Sequence, residues 1–105
     1  MLALNYMHAR GVIHRDLKLE NILIQWPSEQ DKPPSLKLCD FGFACFKEGK
    51  SSKRLRLGSP HYMSPEVVSF KEYDDRADVW SLGVITYMCL VGQQPFSGRT
   101  NKEIH

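Results

Sequence analysis

The pattern of hydrophobic and polar positions predicts a helix at each end of the 105-residue chain and short strands between them. Leu4 and Met7 share one face of a helix over residues 1–10, and Gly11 is expected to end it. A longer helix is predicted over residues 75–91, where apolar residues fill successive turns. The two helices differ in character, because only the first is amphipathic.

The predicted helix at residues 75–91 is apolar on nearly every face, since its sequence includes the run VWSLGVITYMCLV. A helix that is apolar all round must be covered by protein on every side. The other elements of this chain are too few to provide that cover. We therefore expect the chain to be part of a larger domain, and to be poorly soluble alone.

The middle of the chain predicts a β-hairpin. Residues 22–25 and 36–39 are short apolar or alternating runs, which is typical of strands. The segment between them, WPSEQDKPPS, contains three prolines and is expected to be a loop. Residues 43–57, rich in Lys, Arg, Gly and Ser, predict an exposed mobile loop. Ser64 before Pro65 predicts the N-cap of a short helix. Several helices with one hairpin predict an α+β fold.

Composition and charge are typical of a soluble globular domain and do not indicate a binding partner. The chain is 42% hydrophobic and 25% charged, which is ordinary for a soluble globular domain. A net charge of +2 does not favour a nucleic-acid or acidic-membrane partner. No apolar run reaches the roughly 20 residues of a membrane span, and the N-terminus is a poor signal peptide. We expect neither nucleic acid nor membrane as a partner.

Cysteine usage indicates a reducing compartment. Cys39, Cys45 and Cys89 are odd in number and widely spaced, which favours free thiols over a disulfide framework. A zinc site that combines them with His14 or His61 is the less favoured alternative. The expected location is cytoplasmic or nuclear.

Candidate chemistry is concentrated in two short segments, HRDLKLEN at residues 14–21 and Asp-Phe-Gly beginning at Asp40. The predicted hairpin would bring them together and place Asp16, Asn21 and Asp40 around one space, with Lys18 beside it. Carboxylate and amide oxygens suit Mg²⁺, and a lysine suits a phosphate. The combination is typical of phosphoryl transfer.

The ordered segments HRDLKLEN, DFG, GSPHYMSPE and DVWSLGVITYMCLVGQQPF resemble the eukaryotic protein-kinase domain over nearly the whole chain. The resemblance implies a partial C-terminal lobe of a protein-kinase-like fold over residues 1–105, without the N-lobe and the last helices of the larger lobe. The seven glycines form no G-x-G-x-x-G motif. We therefore expect negligible kinase activity from this chain alone.

The resemblance also implies a role for each candidate residue, with ATP and Mg²⁺ as cofactors. Asp16 would be the catalytic residue that orients the substrate hydroxyl and accepts its proton. Lys18 would contact the γ-phosphate. Asn21 and Asp40 would bind magnesium, and Leu23 would lie under the adenine ring.

Three further residues are implied to support the site. His14 and Phe41 resemble two members of the hydrophobic stack that aligns active kinases. Asp78 would hold the backbone of residues 14–16, although an acid in the first turn of a helix is favourable in any case.

Substrate class follows from the same resemblance. The pattern DLKxEN and the Gly-Ser pair ending at Ser59 resemble serine/threonine kinases, whose substrates are proteins. The Ser59 hydroxyl could bond both Asp16 and Lys18. Glu20 would either attract a basic residue of the substrate or be a solvated surface acid. The segments LKLCDFGFA and GSPHYMSPE most resemble the calcium/calmodulin-dependent group.

Regulation by phosphorylation is not favoured by the sequence. Leu55 stands where phosphorylation-activated members of the family carry Thr or Ser. Ser51 and Ser52 lie nearby but are offset, with Ser52 the better candidate. A second hypothesis remains open, namely a truncated, non-catalytic kinase-like protein that acts by protein binding. The intact set of four catalytic and metal-binding residues favours an enzyme.

Overall fold

The computed structural model describes residues 2–48 and 55–104. The two serines considered for phosphorylation, Ser51 and Ser52, lie outside these ranges. One helix is followed by four short antiparallel strands and then by three further helices, which confirms the α+β class. The elements are α1 (Leu2–Ala9), β1 (Val12–Ile13), β2 (Ile22–Gln25), β3 (Ser35–Leu38), β4 (Cys45–Phe46), α2 (Pro65–Val68), α3 (Arg76–Val91) and α4 (Asn101–Ile104), with 3₁₀ turns at Leu19–Asn21 and Pro60–Tyr62.

The predicted hairpin is present. Strand β2 pairs antiparallel with β3, so that Ile22 lies opposite Leu38 and Gln25 opposite Ser35. Strand β3 begins and ends one residue earlier than the predicted strand at residues 36–39. The pairing continues past its end, because the Cys39 N–H donates to the Asn21 carbonyl at 3.0 Å. The hairpin therefore joins the two candidate segments.

A second two-stranded sheet was not predicted. Strands β1 and β4 pair antiparallel, with Val12 opposite Phe46 and Ile13 opposite Cys45. The Lys47 N–H extends the contact by donating to the carbonyl of Gly11. The start of the basic segment at residues 43–57 is therefore held against the chain that follows α1. The prediction of a loop was wrong at Cys45 and Phe46, which form β4.

Helix α3 lies close to its predicted limits and organises the core. The residues that it buries repeat at helical spacing along one side: Ala77, Asp78, Ser81, Val84 and Ile85. The main cluster joins this side to α1 and to the residues after β1, and its buried members are Leu4, Leu17, Tyr62, Val84 and Ile85. A smaller cluster of Val67, Tyr73 and Ala77 joins α2 to α3.

The opposite side of α3 is also apolar, as predicted, and the described residues leave much of it exposed. Leu90 is 81% exposed, and Val79, Tyr87 and Val91 are about half exposed. Trp80 is partly covered, because it stacks on Phe96 with ring centroids 5.8 Å apart. None of the described helices is long and apolar enough to cross a membrane.

Helix α2 begins where the sequence predicts. Ser64 is the N-cap residue and Pro65 follows at the first helical position, yet the serine side chain makes no capping hydrogen bond. Ser64 is only 1% exposed, and its hydroxyl has no hydrogen-bond partner within the described ranges. The predicted N-cap position is therefore confirmed, although the hydroxyl gives the first turn of the helix no hydrogen bond.

Candidate active site

Asp78 fixes the backbone of the catalytic loop, which we define as residues 14–21. Its carboxylate accepts the His14 N–H at 2.8 Å and the Arg15 N–H at 2.9 Å. The same carboxylate accepts a third hydrogen bond from His8 Nε2 at 2.8 Å. Asp78 is 1% exposed, so these bonds replace its hydration. The predicted anchoring role of Asp78 is confirmed, whereas His8 was not predicted.

Strained backbone marks both candidate segments. Arg15 has φ of 69° and Asp40 has φ of 59°, in the left-handed region that costs a non-glycine residue free energy. Asp78 stabilises Arg15 by accepting its N–H and the N–H of the preceding residue, His14. Asp40 stabilises its own turn, because its Oδ1 accepts the Gly42 N–H at 3.2 Å. In both candidate segments, the strained residue is therefore held by a carboxylate.

Asp16, Lys18 and Ser59 form one hydrogen-bonded group. The Ser59 hydroxyl donates to Asp16 Oδ1 at 3.2 Å and accepts a hydrogen bond from Lys18 Nζ at 3.1 Å. Lys18 Nζ is also 3.6 Å from Asp16 Oδ2. The prediction that the serine hydroxyl bonds both residues is confirmed. A carboxylate and an ammonium group are thereby held side by side, with the carboxylate largely buried.

Asn21 is oriented by Asp16. Its Nδ2 donates to the Asp16 carbonyl at 2.9 Å and to Asp16 Oδ2 at 3.3 Å. Because both amide hydrogens are directed to Asp16, Oδ1 is the side-chain atom of Asn21 that remains to coordinate a cation. Asn21 is 5% exposed, so the amide has little freedom to turn.

The second candidate segment lies directly beside the catalytic loop. The His14 ring contacts the Phe41 ring, with centroids 5.1 Å apart. His14 Nε2 lies 3.0 Å from the Cys39 carbonyl, and its Nδ1 lies 3.2 Å from the Asp16 N–H. The tautomer with hydrogen on Nε2 satisfies both contacts, since a carbonyl accepts and an amide donates. One buried histidine therefore links the residues before Asp40 to the backbone of Asp16.

The residue types at this edge of the hairpin fit magnesium. Asn21 offers an amide oxygen and Asp40 an exposed carboxylate, and Mg²⁺ prefers such oxygen ligands. Across residues 2–48 and 55–104, no three His, Cys, Asp or Glu side chains are grouped closely enough to hold a metal ion by themselves.

Leu23 projects from β2, opposite Lys37 on β3, and is 54% exposed. An exposed leucine at this edge is accessible to the flat face of a nucleobase. The individual roles of Asp16, Lys18, Leu23, Asn21 and Asp40 stay predictions.

Gly58 allows the activation segment, residues 40–66, to approach the catalytic loop closely. Its φ is +109°, and a Cβ at this position would lie 2.6 Å from the Arg15 carbonyl oxygen and 3.8 Å from Asp16 Oδ1. Only glycine fits such a contact without displacement of the backbone. The sequence indicated this glycine as part of a motif, but its steric reason is visible only in the structure.

Tyr62, which follows Ser59 in the 3₁₀ turn, borders the same region. Burial raises the pKa of the Tyr62 phenol, and the nearby Glu20 carboxylate raises it further. The phenol therefore stays uncharged near neutral pH. Glu20 itself is exposed, and its role toward a basic substrate residue stays a prediction.

Comparison with known proteins agrees with this geometry. The protein kinase domain family matches residues 1–105. The chain is 40% identical to serine/threonine-protein kinase ULK1 of Homo sapiens over 97% of its length, and 47% identical to serine/threonine-protein kinase ULK3 of Homo sapiens over 97%. It is 43% identical to the probable serine/threonine-protein kinase 2 of Plasmodium falciparum (isolate K1 / Thailand) over 99%.

The chain spans only 10% of the length of ULK1, 20% of the Plasmodium protein and 21% of ULK3. The predicted membership of the calcium/calmodulin-dependent group stays a prediction.

Proposed function

The chain belongs to the protein kinase domain family, and we propose that it supplies the phosphoryl-transfer centre of a serine/threonine protein kinase. The observation that carries the proposal is the group formed by Asp16, Lys18 and Ser59. It holds an acceptor for a proton beside a cation for a phosphate. The substrates would be serine or threonine hydroxyls of proteins, with ATP as the phosphate donor.

Asp16 would act on the attacking hydroxyl. The hydroxyl oxygen of the substrate forms a bond to the γ-phosphorus, the bond from that phosphorus to the β–γ bridging oxygen breaks, and ADP leaves with the electron pair. Asp16 orients the hydroxyl and accepts its proton. The bonds from Ser59 and Asn21 fix the carboxylate before substrate arrives, so that little reorganisation is needed.

Lys18 would contact the transferred phosphoryl group. Its Nζ is held by the Ser59 hydroxyl and by Asp16, which keeps the positive charge next to the carboxylate rather than in solvent. Charge on the equatorial oxygens of the phosphoryl group would be balanced there. Arginine is not an equivalent replacement for Lys18, because the compact ammonium group lies between two close acceptors, the Ser59 hydroxyl and the Asp16 carboxylate.

Asn21 and Asp40 would hold magnesium, and Leu23 would contact adenine. When bound, Mg²⁺ neutralises the charge of the nucleotide phosphates. Asn21 is suited to this by its orientation, since its bonds to Asp16 leave Oδ1 for the cation. The same amide therefore couples the metal position to the candidate base.

The test is a phosphate-transfer assay with radiolabelled ATP and Mg²⁺, on the natural gene product that contains these 105 residues. Asp16→Asn should reduce transfer to a protein substrate by roughly 100-fold or more, the range for loss of a general base. Asp31→Asn, in the exposed loop between β2 and β3, is the matched control and should leave transfer unchanged. Transfer that survives Asp16→Asn would refute the assignment. Failure of the parent protein to bind ATP and Mg²⁺ would favour the non-catalytic, protein-binding alternative.

A further inference from the structure

Tyr73 connects the activation segment to the catalytic loop. The residue is 4% exposed, and its ring packs in the small cluster with Val67 and Ala77. Its hydroxyl donates to the Leu55 carbonyl at 3.1 Å and accepts a hydrogen bond from Arg15 Nη1 at 3.4 Å. One uncharged hydroxyl therefore bridges a residue of the activation segment and the arginine that precedes Asp16.

Arg15 holds the activation segment at two places. Its Nε donates to the carbonyl of Phe43, near the beginning of the segment. Its Nη1 reaches Leu55, in the second half of the segment, through the Tyr73 hydroxyl. The planar guanidinium is suited to this, because its donors point in fixed and different directions. Both contacts use neutral oxygen atoms, and neither uses a phosphate.

We propose that Tyr73 is a positioning residue that docks residues 55–57 against the catalytic loop in protein that carries no phosphate on its activation segment. The docked residues lead directly into Gly58 and Ser59, which contact Arg15 and Asp16. The consequence for catalysis rests on the proposed function, whereas the docking itself does not. Leu55 accepts the Tyr73 bond through its backbone carbonyl, so this docking does not require the Thr or Ser side chain found at this position in phosphorylation-activated members of the family.

Hydrogen exchange at the Leu57 amide can report whether Tyr73 holds this turn. The Leu57 N–H donates to the Leu55 carbonyl at 3.1 Å, which closes a tight turn. The Leu55 carbonyl therefore accepts two hydrogen bonds, one from Leu57 and one from Tyr73. Loss of the tyrosine hydroxyl frees the carbonyl to turn away, and the Leu57 amide should then exchange its hydrogen with solvent more quickly.

The experiment is hydrogen–deuterium exchange, resolved to single amides, on the phosphatase-treated gene product that contains this chain. Tyr73→Phe keeps the buried ring and removes only the hydroxyl. It should speed exchange at Leu57 by about fivefold, the effect of one ordinary hydrogen bond. Tyr87→Phe, on the half-exposed side of α3, is the control and should leave the Leu57 rate unchanged. An unprotected Leu57 amide in the phosphatase-treated protein without substitution, or a rate that Tyr73→Phe does not change, would overturn the proposal.

Two further readouts separate positioning from general stability and from the proposed function. Exchange at the amides of α1 should not change in Tyr73→Phe, and equal acceleration there would show a purely structural role. Exchange is measured without ATP, so it tests docking even if the protein transfers no phosphate. In protein that does transfer phosphate, the variant should lower kcat/KM for the protein substrate and leave the KM for ATP unchanged. Altered exchange with unaltered kinetics would refute the positioning role in catalysis.

Discussion

The Ser59 hydroxyl lies 3.2 Å from Asp16 Oδ1, although 43 residues separate the two in sequence. Ser59 belongs to the activation segment and Asp16 to the catalytic loop, so this hydrogen bond is one of those that join the two segments. The same hydroxyl accepts a bond from Lys18. Any change that moves the activation segment will therefore change the position of both charged groups.

Substitution of Ser59 tests that connection. Ser59→Ala removes the hydrogen bonds of the hydroxyl to Asp16 and Lys18, and a bond to a charged group is worth about 1.5–3 kcal/mol. We therefore expect kcat to fall by about tenfold or more. Ser59→Thr keeps the hydroxyl and should retain most of the activity. The measurement is steady-state kinetics of the parent protein with a protein substrate. Equal loss in both variants would show that the hydroxyl is not responsible.

Asp78 is expected to be the most sensitive position for stability. Asp78→Ala leaves the N–H groups of His14 and Arg15 buried without an acceptor, and should lower the free energy of unfolding by about 3 kcal/mol. Denaturant unfolding followed by circular dichroism measures this. Asp74→Ala is the control, because its bonds to the Arg76 side chain and N–H are exposed to solvent and should together be worth about 1 kcal/mol or less. Similar losses in the two variants would contradict the anchoring role.

Gly58 and Gly83 should respond oppositely to alanine. Gly58→Ala places a Cβ against the Arg15 carbonyl at a positive φ and should lower stability by about 1–3 kcal/mol. Gly83 lies within α3 with open space around its Cβ position, so alanine there should raise stability by about 1 kcal/mol. Thermal unfolding of the two variants checks the sign. A harmless Gly58→Ala would mean that the close contact with the catalytic loop does not form.

Alanine substitution at two buried serines, Ser64 and Ser81, should also change stability in opposite directions. The Ser64 hydroxyl is buried without a partner among the described residues, so Ser64→Ala should raise stability by about 1 kcal/mol. The Ser81 hydroxyl donates to the Tyr62 carbonyl at 2.8 Å, so Ser81→Ala should lower stability by a similar amount. Melting temperatures compare the two directly. A less stable Ser64→Ala would show that the hydroxyl has a partner in solution.

The elements with a clear period were predictable from the sequence. Helices α1 and α3 and the β2–β3 hairpin lie within one or two residues of their predicted limits, because each is long enough for its hydrophobic pattern to repeat. Strands β1 and β4 have two residues each, which is too few for any alternation. Their pairing depends on contacts between distant segments, which no local pattern records.

The candidate site was predictable to the extent that it consists of ordered motifs. The positions of Asp16 and Asp40 came from such motifs. The residues that orient the site were missed where no motif contains them, as for Tyr73 and His8. His8 contacts an acceptor 70 residues later, and Tyr73 contacts an arginine 58 residues earlier. Residues so far apart in sequence meet only because of the fold, so no local sequence pattern could have predicted these contacts.

The carboxylate that holds the catalytic loop is made late in biosynthesis. Asp78 is added by the ribosome 64 residues after His14, whose backbone it fixes. Because a nascent chain emerges from its N-terminus, the strained turn at Arg15 has no support until α3 has left the exit tunnel. A chain stalled before that point would expose residues 14–16 to chaperones without the two hydrogen bonds that Asp78 accepts.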